Sequence, residues 1–267
     1  MPKNVLVVGM PRSGTSLVSG IFANKGYYVA DGDGEELRPP DADNPVGYWE
    51  AESLVRRNVE VLRAAGFPHD NTWLYPPIDA AAIDRIGRLQ PFSDHADFAR
   101  RYAAHAPWLW KDPRLCYTLA YWGRLVDQEN TGVVLTTRDV HSIYLSFVRL
   151  RWREGGDAAM ADVRARVASH VDAARTALAQ LDIPFVEIAY ADFASRPEEL
   201  AAELSDFAGL DLGVDDLLFE RRFDHSTPGG RLRTALGHRW SSLPEGVRRA
   251  VRTILPGSVK AKLRGPR

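Results

Sequence analysis

The sequence is poor in cysteine and has no long apolar run. Its 267 residues include one cysteine, Cys116, which excludes an intramolecular disulfide and a zinc site built on several cysteines. No window approaches the roughly 18 apolar residues that a membrane-spanning helix needs, and the first apolar run, residues 5–8, is too short for a signal peptide. With the lack of any Asn-x-Ser/Thr sequon, these absences predict a protein of a reducing compartment, the cytoplasm.

Metal-ligand spacing and a large net charge are also missing. The 7 histidines show no metal-binding pattern, so no metal is expected. A net charge of -1 excludes nucleic-acid binding through overall charge. Charge is uneven, however, because residues 221–267 are strongly basic and only Asp224 and Glu245 oppose the arginines and lysines there. We expect this segment either to close over an anionic ligand or to be partly solvated.

Strand and helix patterns alternate along the chain. Short apolar or β-branched runs predict strands at residues 4–8, 108–110, 132–137 and 183–188. Apolar stripes and caps predict helices at residues 15–24, 51–65, 80–90, 139–152, 158–181 and 197–208. This order predicts an α/β fold of three layers, with a mostly parallel sheet of about five strands flanked by helices. One domain is expected over residues 1–267, with its core at about 4–210.

The most informative motif follows the first predicted strand. It reads Gly9-Met10-Pro11-Arg12-Ser13-Gly14-Thr15-Ser16, a turn that leads into a helix. Backbone N–H groups at such a turn, together with the helix dipole, favour a phosphate or sulfate group. The spacing of Gly9 and Gly14 copies a nucleotide-binding P-loop, but Thr15 stands where that loop has lysine. This difference argues against ordinary hydrolysis of ATP or GTP.

The segment resembles the 5′-phosphosulfate loop of sulfotransferases that use 3′-phosphoadenosine 5′-phosphosulfate (PAPS). A second family element is similar: the strand at 132–137 ends in Arg138, and Ser146 follows eight residues later. In the family this pair holds the 3′-phosphate, although Val140 replaces a frequent proline. The resemblance therefore implies a cofactor site made of residues from both elements and from two later segments: Pro11, Arg12, Ser13, Gly14, Thr15, Ser16, Arg138, Ser146, Tyr190, Gly230 and Arg231.

Further blocks resemble bacterial members of the family, in order from about residue 4 to 210. They are Asn44-Pro45-Val46-Gly47-Tyr48-Trp49-Glu50, Trp110-Lys111-Asp112-Pro113-Arg114-Leu115, and Ile188-Ala189-Tyr190-Ala191-Asp192-Phe193. The resemblance implies transfer of a sulfuryl group from PAPS to a hydroxyl or amine, with release of 3′-phosphoadenosine 5′-phosphate (PAP). It also implies a small-molecule, sugar or lipid-headgroup acceptor, and no nucleic acid.

Four residues are candidates for catalysis. Arg12 and Lys111 would stabilise negative charge on the donor. Glu50 would accept the proton of the acceptor, because Tyr48 and Trp49 would keep water from its carboxylate. His141 is the alternative base.

Several interpretations stay open at this stage. Asp31, Glu35 and Glu36 remain possible bases in an acidic loop. Lys111 could instead pair with Asp112, and Arg114 could bind either an anion or a carboxylate. The aromatic residues at 108, 110, 117, 121 and 122 fit either a core or an acceptor pocket. A P-loop kinase and a non-catalytic nucleotide-binding protein on the same fold are the alternative functions.

Overall fold

A parallel sheet lies at the centre of the computed structural model, which describes residues 2–30, 37, 40, 44 and 47–219. Its four strands are β1 (Asn4–Gly9), β2 (Leu109–Lys111), β3 (Thr131–Thr137) and β4 (Phe185–Ala189). They are all parallel, in the order β2-β1-β3-β4. The predicted α/β class is confirmed. Beside β2, Tyr28 makes only a single parallel bridge to Trp108, so the described sheet has four strands instead of about five.

Helices cover both faces of this sheet. In the described ranges they are α1 (Thr15–Asn24), α2 (Glu52–Ala64), α3 (Ala80–Arg88), α4 (Ser93–Ala103), α5 (Leu115–Trp122), α6 (Val140–Arg149), α7 (Asp157–Leu178), α8 (Asp192–Ser195) and α9 (Pro197–Ala208), followed by a 3-10 turn at Val214–Leu217. None of these helices is long and apolar enough to span a bilayer. The basic segment at 221–267 lies outside the described residues.

Local signals fix several helix ends. The backbone N–H of Ser142 donates to the Asp139 side chain over 2.9 Å and so caps α6. Gly209, at φ 68, ends α9 in the left-handed conformation. Helices α4 and α5 were not predicted, because α5 is apolar on nearly every face and α4 buries His95 among its aromatic residues.

The two faces of the sheet bury two separate apolar clusters. Alternate residues of β1 divide between them: Leu6 and Val8 pack on one side, and Val5 and Val7 on the other. All four are fully buried, and burial of each such side chain stabilises the fold by about 1.5–3 kcal/mol. The cluster around Leu6 holds the aromatic residues whose role the sequence left open, namely Trp108, Trp110, Tyr117, Tyr121 and Trp122. All five are buried in the core, and Tyr117 also contributes to the wall of a cavity between α3, α5 and α7.

The single thiol is part of the same core. Cys116 is the second residue of α5 and is fully buried. Burial raises the pKa of this thiol to about 12, so Cys116 is an uncharged apolar side chain at neutral pH.

The end of β1 lies very close to β3. A Cβ atom at Gly9, which has φ +154, would lie 2.3 Å from the Thr136 hydroxyl oxygen and 2.7 Å from the Thr136 carbonyl oxygen. Only glycine fits this position, because the second contact is with backbone. The close approach brings the loop after β1 against the loop after β3.

We expect Gly9→Ala to lower the free energy of unfolding by about 3 kcal/mol, since both the backbone angle and the clash oppose the new methyl group. Gly156→Ala is the matched control, because Gly156 has φ +121 and nothing within 4 Å of its added Cβ. It should cost about 1 kcal/mol. Urea titration of both variants measures the difference, and equal losses would contradict the clash.

A buried histidine links the loop before α3 to α7. His170 Nδ1 lies 2.8 Å from the Arg166 carbonyl oxygen, which can only accept, so Nδ1 carries the hydrogen. Nε2 then accepts from the Thr72 hydroxyl over 2.8 Å. Burial lowers the pKa of His170 from 6.5 to about 4, because the charged ring would lose its hydration.

This lowered pKa predicts that acid destabilises the protein well above pH 4. Between about pH 6.5 and 4 the unfolded chain binds a proton at this ring and the folded chain does not. We expect His170 to account for a loss of about 2 kcal/mol in the free energy of unfolding between pH 7 and pH 5. In His170→Gln that part of the pH dependence should vanish, whereas the exposed control His105→Gln should keep it. Urea titrations at the two pH values test this, and an unchanged dependence in His170→Gln would refute it.

Candidate functional site

The loop between β1 and α1 forms an open helix N-terminus. Gly14 is the N-cap of α1, at φ 106, and no side chain caps the helix there. Inside the loop, Ser13 makes a 2.7 Å hydrogen bond between its hydroxyl and that of Thr136. The first N–H groups of α1 are therefore available to an anion, and the helix dipole favours one at that position.

Arg12 joins this loop to the segment after β3. Its backbone is left-handed, at φ 74, which is costly for a residue with a side chain. Arg138 Nη1 donates to the Arg12 carbonyl oxygen over 3.0 Å, and Arg12 Nε donates to the Ser146 hydroxyl over 3.0 Å. The structure thus brings together three residues that are far apart in the sequence.

Tyr190, directly after β4, completes this side of the site. The Arg138 guanidinium carbon lies 3.9 Å from the centre of the Tyr190 ring, a cation–π contact. A Cβ atom at Gly14 would lie 2.8 Å from Tyr190 Cδ2, so the ring packs against the loop backbone. The rings of Phe193 and Phe219 lie beside the Tyr190 ring, and the ring centres of Phe219 and Tyr190 are 6.0 Å apart.

Glu50 and Lys111 form an ion pair beside the first turn of α1. The Lys111 side chain is 3% exposed and that of Glu50 is 18% exposed, so water reaches the carboxylate but hardly the ammonium. Lys111 Nζ also donates to the Ser16 hydroxyl oxygen over 3.3 Å. Two residues predicted separately as catalytic candidates therefore lie in direct contact, next to the loop.

The open interpretations of Lys111 and Arg114 are resolved. Lys111 pairs with Glu50 and not with its neighbour Asp112. Asp112 accepts instead from Arg114 Nη1 and Asn58 Nδ2, each over 2.8 Å. Arg114 and Asp112 are both buried, so their pair holds the turn after β2 in place.

Asn44 is the residue that sequence reasoning left without a role. Its Nδ2 atom lies 3.0 Å from the Ser16 hydroxyl oxygen and 2.7 Å from the Gly47 carbonyl oxygen. The signal was present, because Asn44 opens the block that ends in Glu50, but the contact joins two segments that no local pattern connects.

His141 lies apart from this arrangement. It is exposed on the first turn of α6, and its ring centre is 6.0 Å from that of Tyr144. Within the described ranges no recorded hydrogen bond or ion pair links it to Glu50 or Lys111. Five other candidates, Asp31, Glu35, Glu36, Gly230 and Arg231, lie outside the described residues.

Among the residues that the structure describes, one cluster of possible metal ligands occurs elsewhere, at Glu60, Asp94 and His95. Glu60 can only accept, so the 2.9 Å contact places a hydrogen on His95 Nε2. Tyr121 occupies His95 Nδ1 at 2.9 Å. Both ring nitrogens thus have protein partners.

Comparison with known proteins identifies similar chains. The model of the sulfotransferase family matches residues 2–216. Among solved structures, the sulfotransferase domain from the Synechococcus PCC 7002 olefin synthase has 18% identity and a TM-score of 0.45, over 90% of this chain and 88% of that one. Sulfotransferase STF9 from Mycobacterium avium has 16% identity and a TM-score of 0.43, over 81% and 66%.

A search of the curated proteins gives no significant match. The sequence identities and TM-scores of the two solved structures are too low to indicate the substrate of this chain. Function has to be argued from the family match and from the residues of the site.

The contribution of the Glu50–Lys111 ion pair to the free energy of unfolding can be tested by substitution. We expect Glu50→Gln to lower the free energy of unfolding by about 2 kcal/mol, because it leaves a buried ammonium without its counter-ion. Glu50→Gln/Lys111→Met should regain most of that loss. Asp84→Asn, which breaks an exposed pair with Arg88, should cost less than about 0.5 kcal/mol. Urea titration decides, and a double variant less stable than Glu50→Gln would contradict this account.

Proposed function

The chain belongs to the sulfotransferase family, and we propose that it transfers a sulfuryl group from PAPS to an acceptor hydroxyl or amine, releasing PAP. The observation that carries the proposal is the direct contact between two arginine-containing elements, to each of which we assign an anionic group of the donor. The loop at Gly14 and the Arg138–Ser146 element meet at Arg12. A nucleotide with phosphates on both its 5′ and 3′ oxygens has anionic groups for both elements.

The residues around Gly14 suit the donor end of the reaction. We assign the 5′-phosphate to the uncapped N–H groups of α1, the Arg12 guanidinium and the Lys111 ammonium. Lys111 supports this assignment, because it donates to Ser16 in the first turn of α1. During transfer the bond between sulfur and the bridging oxygen breaks, and negative charge grows on that oxygen. Donors fixed beforehand lower the barrier most, because they need not reorganise during the reaction.

The acceptor end is assigned to Glu50. The acceptor oxygen forms the new bond to sulfur, and its proton passes to the Glu50 carboxylate. Glu50 is half-buried and already beside Lys111, so base and cation lie a few ångströms apart. Catalysis then depends mainly on positioning, as in phosphoryl transfer. The acceptor is proposed to be a small molecule, a sugar or a lipid headgroup, and the site of reaction the cytoplasm.

No observation favours the kinase alternative. Thr15 stands in place of the P-loop lysine. The acidic residue after the neighbouring strand, Asp112, is fully buried and engaged by Arg114 and Asn58. A carboxylate in that state is not presented to a magnesium–nucleotide complex.

Calorimetric titration with PAP, ADP and AMP tests the proposal. We expect wild-type protein to bind PAP at least about tenfold more tightly than ADP, because two charge-assisted hydrogen-bonding sites are filled instead of one. Arg138→Ala should remove that preference, while Arg175→Ala, an exposed arginine paired with Glu187, should keep it. Tighter binding of ADP than of PAP by the folded wild-type protein would refute the proposed donor.

Arg138→Ala also removes the contacts of Arg138 with Arg12 and Tyr190. The ratio of PAP affinity to AMP affinity distinguishes a role of Arg138 in binding the 3′-phosphate from a role in supporting the loop. A lost 3′-phosphate contact lowers the ratio, whereas a disturbed loop weakens both ligands equally and leaves the ratio unchanged.

A further inference from the structure

We infer that Asn44 is a positioning residue that turns the Ser16 hydroxyl hydrogen toward the 5′-phosphate end of the bound donor. This inference rests on the proposed function for the identity of the donor. It assigns a task to a residue outside the predicted site, and it gives Ser16 a fixed direction as a hydrogen-bond donor.

The direction of each bond follows from the partners. Asn44 Nδ2 lies 2.7 Å from the Gly47 carbonyl oxygen, which can only accept, so the amide nitrogen and not the amide oxygen must face it. The same nitrogen therefore donates to Ser16 Oγ over 3.0 Å. Lys111 Nζ has only hydrogens to offer, and it donates to Ser16 Oγ over 3.3 Å.

Ser16 Oγ thus accepts two hydrogen bonds. A hydroxyl oxygen has two lone pairs and one hydrogen, so the remaining direction belongs to the hydrogen. Among the residues that the structure describes, no acceptor is recorded for it. Ser16 lies in the first turn of α1, whose N-terminus has no side-chain cap. An anion bound at that N-terminus is the acceptor that the geometry leaves room for.

Ser19, one turn later in α1, shows the other direction that a serine hydroxyl can take in a helix. Its hydroxyl donates back to the Thr15 carbonyl oxygen over 2.8 Å, the usual behaviour of serine within a helix. The corresponding acceptor for Ser16 is the Arg12 carbonyl oxygen, which accepts from Arg138 instead. Asn44 and Lys111 hold Ser16 in its different orientation.

Asn44 has a second structural contact that the test must separate. Asn44 Nδ2 also donates to the Gly47 carbonyl oxygen over 2.7 Å. This side-chain bond, which alanine would lack, supports the turn that the Gly47 N–H closes on the Asn44 backbone carbonyl oxygen, three residues before Glu50. Loss of Asn44 could therefore act through this turn. An effect through Ser16 needs the Ser16 hydroxyl, whereas an effect through the turn does not.

A double-mutant cycle on PAP affinity makes that separation. We expect Ser16→Ala to weaken PAP binding about tenfold, the size of one hydrogen bond to a charged group. Asn44→Ala should weaken it about threefold to tenfold. Ser16→Ala/Asn44→Ala should bind no more weakly than Ser16→Ala alone. Asn130→Ala, an exposed asparagine bonded to Asp127, should leave affinity unchanged, and melting temperatures check folding.

Two results would overturn the inference: losses that multiply in the double variant, or an Asn44→Ala protein with wild-type affinity. The cycle is also run with ADP, which carries a 5′-phosphate but no 3′-phosphate. If wild-type protein prefers ADP, the proposed donor fails while the ADP cycle still decides the role of Asn44. If neither nucleotide binds the folded wild-type protein, both proposals fail.

Discussion

The hydrogen bond from Arg138 to the Arg12 carbonyl oxygen is the contact on which the rest of the site depends. It holds Arg12 in a left-handed conformation that a residue with a side chain adopts only when its surroundings compensate for the cost. In that conformation Arg12 Nε donates to the Ser146 hydroxyl. The N-terminus of α1 is uncapped because its N-cap residue, Gly14, has no side chain. The close approach of Gly9 to Thr136 makes this bond possible, because the two loops meet at one edge of the sheet.

Much of this arrangement could be predicted from the sequence, since the relevant signals are local. The run before Gly9 predicts a buried strand, and Gly14 marks the helix start that the structure has. Arg12 and Arg138 were assigned to one site by the resemblance to the family. The structure brings them into contact, because parallel strands place their carboxyl ends at one edge of the sheet. The ion pair of Glu50 and Lys111 was not predicted, because Asp112 is adjacent in the sequence and only tertiary packing commits it to Arg114 and Asn58.

The sequence could not decide whether certain aromatic and histidine residues belong to the core or to a functional site, because their side chains suit both. Trp108, Trp110 and Trp122 suit a pocket wall as well as a core, and periodicity cannot separate the two on an apolar segment. The structure buries all three against one another, which fills the space beside β2. His95 and His170 are similar cases, since each is a titratable group that packs as an aromatic ring.

The buried thiol has a consequence for labelling. Cys116 is the 1 cysteine of the chain, is fully covered and has its pKa raised to about 12. Its thiolate, the form that reacts with maleimides, is therefore scarce at neutral pH and out of reach. A cysteine introduced at an exposed position would carry a fluorophore or spin label selectively, without replacement of the native residue. Distances within the native protein thus become accessible to spectroscopy through one or two substitutions.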